Sequence, residues 1–261
     1  MSVLSIKGVT MEFGGIKALS KIDMDLEECE IRGLIGPNGA GKTTVFNVIT
    51  GIYRPKEGDI RFNGDSILGK KPHEISGLGI GRTFQNPQLF QTLTVMDNVL
   101  IGLHTLGKSS FVSEALKLPG ERKEELELRE KASHILEWIG LKEVADRLGC
   151  NLPFGQQKFL EFGRAIVCKP TLLLLDEPAA GLNFEEKVNL DRLVKLLRDE
   201  MKITILLIEH DMRLVMGISD RVTVLNYGEK IAEGLPSEVR KDRKVIEAYL
   251  GEEKKLRKPK T

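Results

Sequence analysis

The sequence predicts an α/β protein: a phosphate-loop core whose mixed sheet has a parallel centre and an antiparallel β portion, with a helical subdomain inserted into it. Three observations predict this class. Short continuous apolar runs, Leu172 to Leu175 and Ile203 to Ile208, alternate with helical patterns, as strands of a parallel sheet covered on both faces do. An earlier stretch has period two instead. Between the two kinds of strand stands a complete GxxxxGK[ST] loop, placed between a strand and a helix.

From Leu4 to Ile35 the period-two residues are Val9, Met11 and Phe13, then Ile22, Met24 and Leu26, and finally Ile31 to Ile35 leading into glycine. A helix follows from Lys42 to Thr50 and closes at Gly51. Ile60 and Phe62 before Asn63-Gly64 read as a strand with a tight turn. Between Asn86 and Cys150 helical spacing takes over, in Val95 to Leu103 and Glu121 to Ile139. The second of these is dense in charge (ERKEELELREK), a solvated face with i,i+4 pairs, and its apolar side is expected to carry Leu126, Ile135 and Trp138. After Gly155 come helix Gln156 to Val167, strand Leu172 to Leu175, helix Glu185 to Glu200 and strand Ile203 to Ile208. The tail EEKKLRKPKT is polar and expected to be disordered. The division is therefore a core of 1–85 and 155–250, a helical subdomain of 86–154 and a flexible tail of 251–261.

Composition sets limits on partners. A chain of 261 residues allows one large or two small domains. Lys and Arg total 39 against 38 for Asp and Glu, so a formal charge of +1 gives no whole-chain reason to expect nucleic acid. Three widely spaced cysteines without a CxxC pair exclude a disulfide scaffold and a thiol zinc site of the usual spacing. The start MSVLSIKGVT lacks a cationic segment followed by an apolar one, and no run approaches the ~18 apolar residues that span a bilayer. The expectation is a soluble chain whose membrane role, if it has one, comes through a partner.

The chemistry begins with Gly36-Pro37-Asn38-Gly39-Ala40-Gly41-Lys42-Thr43, with Thr44 next in the helix. Glycines let several N–H groups turn toward phosphate oxygens, and the following helix adds its positive end. Lys42 is expected on the β- and γ-phosphates of ATP and the Thr43 hydroxyl on Mg²⁺. Leu172 to Leu175 then deliver Asp176-Glu177 at a strand end, where ligands of parallel sheets collect. Asp176 is the expected Mg²⁺ ligand, directly or through water, and Glu177 the general base toward the attacking water. These two motifs mark a P-loop NTPase and leave kinases, GTPases, helicases and transporters open.

Three further segments narrow the choice: Thr83-Phe84-Gln85, Leu152-Pro153-Phe154-Gly155-Gln156-Gln157, and Glu209-His210-Asp211. In this order, from about Leu4 to Gly251, the chain resembles the nucleotide-binding subunit of an ATP-binding cassette transporter. The resemblance implies that Phe13 stacks on adenine, with an inward-facing strand residue as the alternative. It implies that Gln85 touches Mg²⁺ or the lytic water, and that His210 contacts the γ-phosphate and the catalytic Glu177. Gly155 and Gln156, at the start of a helix, would face the γ-phosphate held by a second subunit. Here the signature has Pro153 and Phe154 where the family usually has serine and glycine, and Asn183 stands where Asp is frequent. Proline brings neither hydroxyl nor N–H, so that share of the contact is lost.

LPFGQQ, DEPAAGLN, GRTFQNPQLFQTLTVMDNVLIG and PSEVRKDRKVIEAYLG together resemble the ATPase subunits of branched-chain amino acid importers. Relatives in that branch serve urea or other amides, and a sister group powers lipopolysaccharide export. The resemblance implies transmembrane permease subunits as partners, a second ATP-binding subunit, identical or paralogous, in a head-to-tail dimer, and indirectly a substrate-binding protein. It implies a place on the cytoplasmic face of the membrane, and no nucleic-acid partner. Two readings stand beside it. A cassette ATPase working on ribosomes or DNA usually carries two cassettes or a long coiled-coil insertion, and a P-loop kinase would not need Gln156, His210 or Leu152 to Gln157. Within the insertion, Leu89, Phe90, Leu93 and Val95 are the expected contacts with a membrane subunit.

Overall fold

The computed structural model describes residues 2–103 and 119–256. The strands are β1 (Ser2–Phe13), β2 (Ile16–Glu27), β3 (Ile31–Ile35), β4 (Glu57–Phe62), β5 (Asp65–Ser66), β6 (Ile80–Arg82), β7 (Leu172–Asp176), β8 (Thr204–Ile208), β9 (Arg221–Asn226) and β10 (Glu229–Gly234). The helices are α1 (Lys42–Ile49), α2 (Pro72–Gly77), α3 (Val95–Gly102), α4 (Pro119–Trp138), α5 (Phe154–Ile166), α6 (Phe184–Asp199), α7 (Met212–Ile218), α8 (Pro236–Val239) and α9 (Arg243–Leu256).

Two compact units contain them. The first comprises the described residues up to Ile80, Thr171–Glu177, and those from Val194 onward. It holds one sheet entire and, of the other, all but the last two residues of β6. One is antiparallel, in the order β2-β1-β4-β5; the other runs β10-β9-β3-β8-β7-β6, with β9, β3, β8 and β7 mutually parallel and β10 antiparallel at the edge. Every residue of β3, β7 and β8 is buried, which is why these strands read as unbroken apolar runs. The period-two reading of β1 slips by a residue because the strand bulges between Ile6 and Val9, beside Gly8, whose N–H donates to the Asp23 carboxylate at 2.8 Å. Leu4, Ile6, Leu19, Met24, Phe46, Leu174 and Leu206 share one core, and Ile35, Val215, Val222 and Val224 a second. Within the core of β3, Arg32 is 2% exposed and tied to Glu30 and Glu233.

The tail departs from expectation. α9 continues to Leu256, so 251–256 are helical, as the helix-favouring run of Glu, Lys and Leu allows; 257–261 lie outside the described residues.

The second unit comprises the described residues of Gly81–Pro170 together with Pro178–Leu193. It is built on α3, α4 and α5. Gly102 lets α3 approach the last turn of α5, where an added Cβ would lie 2.5 Å from the Arg164 carbonyl. Gly163 does the same for Ile139, just beyond α4. The buried stripe of α4 and its continuation is Ala132, Ile135, Leu136 and Ile139, spaced i, i+3, i+4, i+7. Leu126 and Trp138, expected inside, are 67% and 40% exposed because they lie off that stripe. α5 begins two residues before the expected Gln156, and it groups with α3 and α4 rather than with 194–250 because its apolar face packs on them.

Candidate functional site

Register positions the first part of the site. Leu34 and Asp176 both stand opposite Ile208, so the chain leaves β3, β7 and β8 at the same edge of the sheet. From that edge emerge the Gly36–Thr43 loop, Asp176-Glu177 and Glu209-His210. Gly36 is tightly enclosed, since a Cβ there would collide with the Leu225 carbonyl. Gly41 has φ 101° and ends the loop as the N-cap of α1, without a side-chain cap and without an acidic residue in the first turn. The positive end of α1 is thus left to an anion.

The loop is braced from outside. The Gly228 N–H, in the β9–β10 turn, donates to Ala40 O at 3.0 Å, and the Gly228 carbonyl accepts from Ser20 N at 2.8 Å. Lys42 is buried, and its ammonium donates to the carbonyls of Gly36 at 2.7 Å and Pro37 at 2.9 Å. The loop therefore holds its own cation on its backbone carbonyls.

Asp176 is 5% exposed, and Glu177 follows with φ 47°, a left-handed conformation rare for a residue with a side chain. The Glu177 N–H donates to Ile208 O at 2.9 Å. Such a conformation costs about 1–3 kcal/mol and persists where its surroundings impose it, commonly at functional sites. His210 Nδ1 lies 3.7 Å from Glu177 Oε2, too far for a hydrogen bond but within one small movement of it. The turn that carries His210 is held from below by Glu209, 1% exposed, whose Oε2 accepts from His210 N at 3.2 Å and Asp211 N at 3.5 Å.

Phe13 closes β1 at the hairpin end and is 42% exposed, so it is not an inward-facing core residue. Its ring meets the edge of Tyr53 at 5.0 Å between centroids and 75° between planes. Tyr53 was not singled out by the sequence, since nothing local marks a partner forty positions away in a different element.

The second unit carries the other segments. Thr83 is buried, whereas Gln85 is exposed on a loop whose neighbours Phe84 and Gln88 donate their N–H groups to Glu161 Oε1 at 3.4 and 3.1 Å. Burial pushes the Glu161 carboxyl up, against the lowering effect of those two amides and of Arg164 and Lys158. Pro153 stands at the N-cap of α5, so Gly155 and Gln156 occupy its first turn. Gly155 is packed against the Glu186 carboxylate, and Gln156 Oε1 is buried with no hydrogen-bond partner among the described residues. Glu186 and Asn183 cap the start of α6 reciprocally, Asn183 N donating to Glu186 Oε2 and Glu186 N to Asn183 Oδ1, both at 2.9 Å. Of the four expected membrane contacts, Leu89 and Leu93 are half-buried and Phe90 is 48% exposed. Val95 is 0% exposed and cannot make such a contact, because it is the first residue of α3 and faces the unit's interior.

Within the first unit Thr43 and Asp176 offer a hydroxyl and a carboxylate, hard oxygen donors of the kind Mg²⁺ takes. No group of three or more His, Cys, Asp or Glu side chains able to hold a metal occurs among the described residues.

A family model described as ABC transporter matches residues 19–180, and one described as branched-chain amino acid ATP-binding cassette transporter matches 229–255. The chain is 46% identical over 250 residues to the high-affinity branched-chain amino acid transport ATP-binding protein BraF of Pseudomonas aeruginosa, covering 96% of this chain and 98% of the relative. It is 47% identical, with the same coverage, to LivG of Escherichia coli, which bears the same description. Among solved structures, an ATP-binding cassette of an ABC transporter in its ADP conformation superposes with a TM-score of 0.83 at 35% identity, covering 96% of this chain and 99% of that one. A nucleotide-free cassette gives 0.82 at 36% identity, covering 95% and 99%.

Proposed function

Because the chain belongs to the ABC transporter family of ATP-binding subunits, we propose that it is the motor of an importer of branched-chain amino acids, hydrolysing ATP to ADP and phosphate. The single observation that supports this most is the convergence, at one edge of the parallel sheet, of the Gly36–Thr43 loop, Asp176-Glu177 and His210. The match of 229–255 to the branched-chain amino acid model supports the substrate class.

In this reading the amides of Gly39 to Thr44 and the end of α1 receive the phosphates. Lys42 exchanges the carbonyls of Gly36 and Pro37 for phosphate oxygens, which are stronger acceptors. Phe13 lays its ring on the adenine. Glu177 takes a proton from the attacking water, and His210 stabilises the resulting arrangement from beside it. Thr43, Asp176 and Gln85 would hold Mg²⁺, which would supply charge neutralisation at the phosphoryl oxygens. Gly155 and the N-terminal end of α5 meet the γ-phosphate held by a second ATP-binding subunit, identical or paralogous, in a head-to-tail dimer.

In this reading the first unit is the ATP-binding core and the second, which takes in α5, the helical subdomain, with 251–261 the tail. No described helix is long and apolar enough to cross a membrane. In this reading, which the family and the named relatives support, transmembrane permease subunits supply the pathway, a substrate-binding protein acts through them, and the chain works on the cytoplasmic face. The test is reconstitution of the affinity-purified complex in vesicles. ATP hydrolysis stimulated by a binding protein loaded with leucine, isoleucine or valine is expected. Stimulation only by an amide such as urea would overturn the substrate, and a complex without permease subunits would overturn the transport role.

A further inference from the structure

We propose that Glu161 is the positioning residue of the Gln85 loop, holding from α5 the segment that carries the proposed magnesium ligand. This rests on the role given to Gln85 above.

Glu161 is 3% exposed, and its Oε1 accepts from the N–H groups of Phe84 at 3.4 Å and Gln88 at 3.1 Å, the two sides of Gln85. Between those two bonds only Gln85, Asn86 and Pro87 are left, and Gln85 and Asn86 are exposed. The far end of the loop is pinned as well. Asn98, 0% exposed, accepts from Phe90 N at 2.9 Å and donates to Phe90 O at 3.0 Å and Thr94 O at 2.9 Å. One turn before Glu161 on the same helix, Lys158 donates to Pro178 O at 3.4 Å, the residue after Glu177. α5 therefore begins at the signature residues and, along one face, ties down the loop that carries Gln85 and the chain that leaves Glu177.

A carboxylate is a costly way to fill this space. Burial disfavours its charge, and an apolar side chain of similar size would pack without that penalty. What an apolar residue cannot do is accept two backbone N–H groups at once, and that sets where the loop turns. The position of the Gln85 amide then follows from the position of α5.

The experiment compares the full-length chain with Glu161→Ala, Glu161→Gln and Gln85→Ala, reading ATP affinity by calorimetry, amide hydrogen exchange over 83–90, and kcat. In Glu161→Ala the Phe84 and Gln88 amides are expected to exchange at least tenfold faster. In the same variant kcat is expected to fall about tenfold while ATP affinity stays within about twofold, because the phosphate loop is untouched. Glu161→Gln keeps an acceptor oxygen and restores protection and most of kcat, and Glu161→Ala combined with Gln85→Ala is no slower than Gln85→Ala alone. Unchanged exchange in Glu161→Ala, or the same loss in Glu161→Gln as in Glu161→Ala, would overturn the proposal. If Glu161→Ala does not fold, Glu161→Gln alone decides, by keeping or losing the protection of both amides. A wild-type kcat in Gln85→Ala would instead overturn the role of Gln85, while the exchange result still decides whether Glu161 holds the loop.

Discussion

At the residue scale, Lys42 and Glu177 separate binding from turnover. Lys42→Ala takes a charge-assisted partner from the phosphates and also the cation that braces the carbonyls of Gly36 and Pro37, so the loss of binding has to be read beside the loss of stability. At about 1.5–3 kcal/mol for such a bond, ATP affinity should fall roughly 10- to 150-fold, measured by calorimetry beside a thermal melt. An unchanged affinity in the folded variant would remove the phosphate loop from the site. Glu177→Gln keeps shape but cannot take a proton, so hydrolysis should slow by at least about a hundredfold while ATP binding persists. The left-handed backbone at Glu177 adds a check, because Glu177→Gln preserves φ 47° and its hydrogen bond to Ile208, so its melting temperature should match the parent. Turnover at the parent rate would move the base elsewhere, with His210 next in line at 3.7 Å. Lys42 and Glu177 were readable as candidates because one opens a helix after a glycine loop and the other follows a buried strand, whereas His210 came from the resemblance alone. Tyr53 and Glu161 were not readable, because their partners are far away in the chain and no local spacing announces a ring edge or a shared carboxylate oxygen.

At the element scale the altered signature matters most. α5 starts at Phe154 with Pro153 as its N-cap, so it lacks the hydroxyl that a serine would offer to a phosphate of the second subunit. Restoring Pro153→Ser and Phe154→Gly adds one hydrogen bond at each of two symmetric sites. At about 1.5–3 kcal/mol each, the ATP-dependent dimer would tighten by roughly two to four decades at most. The structure lowers that ceiling. The Phe154 ring packs so closely on Gly181 that a Cβ there would lie 2.6 Å from Cε1, and the Lys158 ammonium sits 5.8 Å from the ring centroid. Phe154→Gly gives up both contacts, so Pro153→Ser alone should gain more than the pair of substitutions. Analytical ultracentrifugation with ATP, in the Glu177→Gln background, orders the three proteins. A parent that dimerises as tightly as Pro153→Ser would show that Gly155 and the helix end suffice. Elements of this kind were readable to within two residues where apolar period and helix caps agree. α4 was misread in part because its charge run hides which apolar residues share a stripe, and Ala132, Ile135, Leu136 and Ile139 supply it without Leu126 or Trp138.

At the scale of the whole molecule, the proposed transport role needs a surface that meets a membrane subunit, and the second unit offers one stretch of it. Both strand types follow from apolar patterning and the insertion from its change of period, whereas the strand order is set by pairing that no local pattern announces. The exposure of individual loop residues does not follow from patterning either, because it depends on how Glu161 and Asn98 fold 83–94 back onto the helices. Leu89, Phe90 and Leu93 lie on that loop, with Phe90 half exposed under the Arg164 guanidinium, 5.7 Å from its ring centroid. Val95 sits two residues beyond Leu93 and is sealed inside. Cysteines placed at 89, 90 and 93 in the assembled complex should therefore crosslink to a permease subunit, with Phe90→Cys the most efficient, whereas Val95→Cys should not react until the unit is unfolded. Yields at 89, 90 and 93 that change between ATP-bound and nucleotide-free complexes would tie the loop to the site through Gln85. Crosslinks from the region of α9 and none from 89–93 would move the membrane contact off this loop, and efficient crosslinking from Val95→Cys in the folded complex would contradict the packing at the start of α3.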